Sequence, residues 1–117
     1  ASIVMISSIS GVRCGYLGGS IYGATKGAFE GFTKAIALEL APRKIRVNTI
    51  TPGMVESNLL NNSEISEEQL EIDKSRYPMK RYGKPEEVGY AAIYLLSDAT
   101  KWMTGSSLLI DGGYTLN

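Results

Sequence analysis

The 117-residue sequence balances 12 Lys+Arg against 12 Asp+Glu, is 44% apolar and 21% charged, and contains 13 Gly, 4 Pro, one Cys and no His. That composition describes one globular domain with enough to bury, and its zero net charge gives no reason to expect nucleic acid or an anionic membrane surface as partner. Without His there is no Ser-His-Asp or Cys-His nucleophile system and no imidazole metal site, and a single Cys14 makes neither an internal disulfide nor a Cys-based zinc site, so no metal is expected and proton transfer falls to Tyr, Lys, Asp or Glu.

The chain opens without Met on ASIVMIS, where Ile3, Val4, Met5 and Ile6 are consecutive. Such a run reads as a strand buried on both faces, as in parallel sheets, and the expectation is a piece of a longer protein whose preceding residues pack against it. Residues 10–20 read as a Gly-rich loop. A helix is predicted from Ser20, as N-cap, to Ala41, with Phe29, Phe32, Ile36 and Leu40 as its apolar stripe and Pro42 ending it. IRVNTI at 45–50 is a second strand, stopped by Thr51, Pro52 and Gly53. Residues 56–81 are polar and predict one or two short helices, expected to act as a mobile lid. Pro85 as first helical residue, with Glu86 and Glu87 in the first turn, starts a helix that runs to about Ser97. SSLLID at 106–111 is a third strand, closed by Gly112 and Gly113. Strand-helix-strand-helix-strand is the pattern of an α/β fold with parallel neighbours and crossover helices. The longest apolar run, YAAIYLL at 90–96, is far short of the ~20 residues that span a bilayer, which makes the cytoplasm the expected compartment and a membrane no expected partner.

Ligands of open parallel sheets bind beyond the carboxyl ends of the strands, here Ser7–Gly11, Thr51–Ser57 and Asp111–Tyr114. The helix after the first loop begins IYGATKGA, and Tyr22 and Lys26, four apart, share one of its faces. A phenol has a reference pKa of about 10, but a nearby ammonium and a helix N-terminus both favour phenolate. Tyr22 is therefore a candidate proton donor and acceptor, Lys26 its electrostatic partner, and Ser8 a neutral hydrogen-bond donor to a substrate oxygen. With seven Tyr and seven Lys among 117 residues, chance gives about 0.4 Y-x-x-x-K matches, so position rather than spacing distinguishes this pair. Gly23, Gly27 and Gly31 recur every four residues at ~0.5–1 kcal/mol each relative to Ala. Either close approach of another helix or backbone, a subunit interface included, offsets that cost, or the face is a tolerated small-residue one. Tyr16, Tyr77, Tyr82, Tyr90, Tyr94 and Trp102 read as packing or substrate-wall residues, and Cys14 as incidental.

On these residues the chain resembles the C-terminal, catalytic half of a short-chain dehydrogenase/reductase, closest in pattern to the 3-oxoacyl-acyl-carrier-protein reductases. The resemblance covers essentially all 117 residues: IVMISSISG, YGATKGA, IRVNTITPGMVES, RYGKPEEVGYAAIYLLSDATKWMTG and SLLIDGG stand in the family's order. It implies the C-terminal part of a three-layer Rossmann-type, doubly wound parallel sheet, residues 1–117 forming one half of a single domain whose N-terminal cofactor-binding half is absent. It further implies that Ser8 polarises the substrate carbonyl, that Tyr22 transfers the proton, and that Lys26 favours its phenolate and hydrogen-bonds the nicotinamide ribose. Pro52, Gly53 and Val55 match the stretch along the nicotinamide, with the Val55 backbone holding the carboxamide, and Ser57 stands where the family more often has Thr. The reaction implied is reversible hydride transfer between NADP or NAD and a small carbonyl or alcohol substrate, acyl-carrier-bound or, alternatively, a sugar, polyol or steroid. Arg43 favours the acyl-carrier reading, because related reductases use a basic residue there. A homo-oligomer, dimer or tetramer, is the expected assembly, and this chain alone is expected to be inactive. The rival class is a noncatalytic oligomerisation or binding module that keeps the scaffold.

Overall fold

Three parallel strands form one sheet in the order β1, β2, β3, with β1 at Ser2–Ile6, β2 at Arg46–Pro52 and β3 at Ser107–Ile110. The computed structural model describes residues 1–117, Leu59 through its backbone alone. Ser2 lies opposite Arg46 and Ile6 opposite Ile50, while Thr49 faces Ser107 and Pro52 faces Ile110. The helices are α1 (Ser20–Leu40), α2 (Asn58–Asn61), α3 (Glu67–Ser75) and α4 (Pro85–Leu96). This is the α/β order and parallel pairing that the sequence predicts, with two short helices between β2 and α4. Among the described residues no helix is long and apolar enough to cross a membrane.

β2 is the central strand, and every residue from Val47 to Pro52 is buried. Its alternation assigns the layers, because successive side chains point to opposite faces. Thr49 Oγ1 donates to Thr33 Oγ1 of α1 at 3.0 Å, and Thr51 Oγ1 to Glu30 Oε1 at 3.0 Å, so α1 covers the Val47-Thr49-Thr51 face. On the other face Arg46 Nη2 donates to the Leu95 carbonyl at 2.9 Å, and Ser2 Oγ to the same carbonyl at 3.0 Å, which places α4 there. Helix, sheet, helix: three layers. Ile50 and Leu95 are wholly buried, each worth about 1.5–3 kcal/mol of transfer free energy. The two faces are covered by different chemistry. Against α1 the seam is polar and paired, for Ser107 Oγ also donates to Glu30 Oε1 (2.9 Å).

The helix ends follow from local residues. Ser66 accepts from Gln69 N at 3.2 Å to cap α3, and Glu67 and Glu68 sit in its positive first turn. Pro85 opens α4, and the Glu87 carboxylate reaches back to Lys84 N at 2.7 Å. α1 closes into a 3-10 turn at Ala41–Arg43, with Pro42 inside it and Lys44 left-handed at φ 57°.

Four local expectations are corrected. Ser20 is the first helical residue rather than the cap, because Gly19 occupies that position without a side-chain bond. The buried residues of α1 are Thr33 and Ala37, while Phe32 is 52% exposed, because the sheet offers hydroxyls to small polar partners and not a greasy slot. β1 is not buried on both faces: it pairs with β2 alone, and Ile3 and Ile6 are 41% and 44% exposed. β2 runs on through Thr51 and Pro52, since Ile9 N still donates to the Pro52 carbonyl (3.0 Å) and Gly53 N to that of Ile110 (2.8 Å).

Candidate active site

Beyond Ile6 the β1 ladder continues, with Ser7 N donating to the Ile50 carbonyl at 2.8 Å and Ile9 N to Pro52, so Ser8 is held at the carboxyl edge of the sheet. The chain then turns sharply. Val12, Arg13 and Cys14 all donate their amides to the Ile9 carbonyl, and Gly11 N donates to that of Cys14 at 2.8 Å. Gly11 takes φ +86°, and a Cβ there would lie 2.0 Å from the Gly23 carbonyl oxygen of α1. A Cβ on Gly27 would stand 3.0 Å from the Gly11 carbonyl oxygen. Two of the three striped glycines thus admit the loop's own backbone, the first of the two alternatives, and the approach lies within the chain. Gly31 has nothing within 4 Å.

This contact brings Ser8, Tyr22 and Lys26 together. Lys26 is clasped twice: its Nζ donates to the Ile6 carbonyl at 3.0 Å, and its own carbonyl accepts from Ser7 Oγ at 2.9 Å. Its ammonium stands 5.7 Å from the centroid of the Tyr22 ring and 5.3 Å from that of Phe29. Tyr22, in the first turn of α1, is 45% exposed. Ser8 Oγ accepts from Ser10 N at 3.1 Å, which leaves its proton for another acceptor.

The opposite wall comes from the turn after β2. Gly83 N donates to the Met54 carbonyl and Glu56 N to the Gly83 carbonyl, both at 2.9 Å, while Met54 N donates to Tyr77 Oη at 3.0 Å. Met54 and Glu56 are thereby fixed on either side of Val55, which forms a parallel bridge with Gly83. In such a bridge the central residue's own N–H and C=O point away from its partner strand. Neither has a protein partner among the described residues.

Behind this wall is an aromatic cluster. Tyr77 packs edge-on against Tyr82 (centroids 5.7 Å apart) and tilted against Tyr114 (4.7 Å). Burial pushes the Tyr77 phenol up, and burial followed by the hydrogen bond to Asp73 Oδ2 (2.6 Å) pushes Tyr82 further. Arg81 grips Glu87 in a bidentate pair at 2.8 and 2.7 Å, and that pair, with Lys84 N, holds the Glu87 carboxyl down to about 2. After β3, burial raises Asp111, but hydrogen bonds from Thr115 Oγ1, Thr115 N and Gly113 N outweigh it and hold the carboxyl below its ordinary value. Asp111 is therefore a structural cap for the chain end.

A cleft of about 550 Å³ lies between the walls and is lined by Ser8, Tyr22, Lys26, Pro52, Gly53, Val55 and Ser57, every site residue that the sequence singles out. Tyr16, Met54, Tyr77 and Tyr114 line it too. Sequence spacing carries no sign that the Tyr77 hydroxyl would meet the Met54 amide. A larger recess, about 780 Å³, sits at the amino ends of the strands among Lys44, Arg46 and Trp102 and gathers none of these residues.

Comparison with known proteins identifies the family. The family model described as Enoyl-(Acyl carrier protein) reductase matches residues 1–115. The chain is 41% identical over 115 residues to the 3-oxoacyl-[acyl-carrier-protein] reductase FabG of Thermotoga maritima, covering 98% of this chain and 46% of that protein. It is 40% identical over 116 residues to a tropinone reductase homolog of Arabidopsis thaliana, covering 99% and 44%. It superposes with a TM-score of 0.88 on the crystal structure of a short chain dehydrogenase family protein from Francisella tularensis, 37% identical, covering all of this chain and 52% of that one. A structure described as ElxO with NADP bound gives 0.89 at 34% identity, covering 100% and 47%. The chain spans about half the length of the curated relatives it matches. With its Rossmann-type strand order, its Ser8-Tyr22-Lys26 wall and matches along nearly its whole length, the chain belongs to the short-chain dehydrogenase/reductase family.

Proposed function

We propose that residues 1–117 are the C-terminal, catalytic half of an NAD(P)-dependent oxidoreductase that interconverts a carbonyl and an alcohol. The observation that carries this reading is the meeting, in one cleft beyond the strand ends, of Ser8, Tyr22 and Lys26 with the Val55 backbone, whose N–H and C=O have no partner among the described residues. Tyr22 gives its phenolic proton to the substrate oxygen in reduction and takes it back in oxidation. Ser8 donates to the same oxygen with the proton that Ser10 leaves free. Lys26 supplies positive charge beside the ring and turns toward the ribose of the cofactor.

The residues fit a nicotinamide. Val55 offers one N–H and one C=O, the complement of a primary carboxamide, and Pro52, Gly53 and Ser57 complete that wall. When bound, the cofactor supplies reversible hydride exchange at its ring. The NADP in the ElxO structure favours NADP over NAD as the partner. The names of the FabG relatives support an acyl-carrier-bound substrate over a free sugar, polyol or steroid, whereas Arg43, in the turn that ends α1, stands at the far end of that helix from Tyr22.

The test uses the whole protein. Tyr22→Phe lowers kcat by about 10²–10⁴-fold, the range of one general acid-base group, and leaves cofactor affinity within a few-fold. A near-normal kcat would overturn the assignment.

A further inference from the structure

We propose that Tyr77 is a positioning residue for the cofactor-side turn, acting through its hydroxyl on Met54 and so on the Val55 backbone. The inference deepens the functional reading above and rests on it. Tyr77 directly follows the turn that ends α3, is 4% exposed, and lies 22 residues beyond the site it serves, so no local constraint places it there. Its ring is held from several directions. Tyr82 and Tyr114 pack against it, a Cβ on Gly53 would meet it at 3.3 Å, and one on Gly112 at 3.5 Å. A ring confined in this way aims its hydroxyl at one spot, where Tyr77 Oη accepts from Met54 N at 3.0 Å.

The hydroxyl completes a three-point attachment. Gly83 takes the Met54 carbonyl and the Glu56 amide, and Tyr77 takes the remaining Met54 amide. With both neighbours fixed, the N–H and C=O of Val55 are the groups of this turn left for a ligand among the described residues. Removing the hydroxyl leaves the Met54 amide without its acceptor, and the turn must shift or admit water to satisfy it. Either change moves Val55 while Ser8, Tyr22 and Lys26, held on the other wall, stay in place. Tyr82 is the natural control, since it belongs to the same cluster but spends its hydroxyl on Asp73 of α3.

The experiment separates the two ends of the cofactor. In the whole protein, binding of NADPH and NADH is measured beside binding of ADP-ribose and its 2′-phosphate, which lack the nicotinamide. Tyr77→Phe should weaken the tighter-binding dinucleotide about five- to tenfold, as expected for one lost buried hydrogen bond, and change its nicotinamide-free counterpart by less than about twofold. Tyr82→Phe should change neither. Equal weakening of both probes by Tyr77→Phe, no weakening of either, or loss of the folded protein would make the hydroxyl a stability element and overturn the inference, while the functional reading stands. Failure of the unmutated protein to bind either dinucleotide would sink both.

Discussion

The wall of the cleft that carries Ser8, Tyr22 and Lys26 is set by close packing of backbone against backbone, Gly11 on Gly23 and Gly27, whereas the facing wall, from Gly53 through α3 to Tyr82, adds to its short backbone bridge at Gly83 two ties that each end in one side-chain hydroxyl. A contact between main chains leaves no rotamer to relax, so the first wall moves only if the sheet or α1 moves. The second can shift by losing one hydroxyl. Groups with the proton-transfer role proposed for Ser8, Tyr22 and Lys26 need fixed mutual geometry, and the rigid wall is the one that carries them. The division of labour follows from which atoms make the contact.

The largest effect that breaks this contrast is expected at Gly11. Gly11→Ala puts a methyl into the Gly23 carbonyl at a φ that L side chains rarely adopt, so urea unfolding should show a loss of about 3 kcal/mol or more, with activity of the whole protein abolished. An alanine variant within about 0.5 kcal/mol of the parent would refute the backbone contact. On the other wall, Tyr82→Phe should cost about 1 kcal/mol, felt as faster amide exchange through Glu67–Ser75 and not in Gly23–Ala37. Uniform acceleration in both regions would erase the distinction. Gly31→Ala sharpens it from the other side: on the same helix but with open space around it, the new methyl should stabilise by about 0.5–1 kcal/mol through helix propensity. Destabilisation there would mean a neighbour that this arrangement lacks.

The smallest effect is expected from pH. Glu87 lies at about 2 in the folded chain against an ordinary 4.5, so the unfolded form takes up the proton first as pH falls. Its contribution is complete above about pH 4.5 and fades toward pH 2. The melting temperature of the parent should exceed that of Glu87→Gln at neutral pH and converge with it across that window, modestly, because the pair with Arg81 is partly open to solvent. A constant difference down to pH 2 would show that the ion pair is not its source.

Much of this was legible in the residues. The β-branched run of β2 and Pro85 with its two glutamates point the right way because each acts locally. The stripe on α1 was misread for a physical reason. Apolarity singles out Phe29, Phe32, Ile36 and Leu40, but the sheet-facing side is Glu30, Thr33 and Ala37, whose polar members are compatible with burial only through Thr49, Thr51 and Ser107, which lie far away in sequence. The glycine repeat announced a close approach without naming its partner, since Gly11 finds α1 only through its positive φ. Tyr77 was legible as an aromatic wall and not as a hydroxyl aimed at Met54.

Because the Gly11 contact anchors the loop at one end and the first turn of α1 at the other, the stretch between them is decoupled from Ser8, Tyr22 and Lys26. Gly15 and Gly18 have open space around them, and Leu17 stands fully in solvent. Insertions, deletions and replacements in that stretch can reshape the rim of the cleft at Tyr16 without disturbing Ser8 or Tyr22. The loop is an exchangeable cassette, the part of this chain where sequence can be varied most freely.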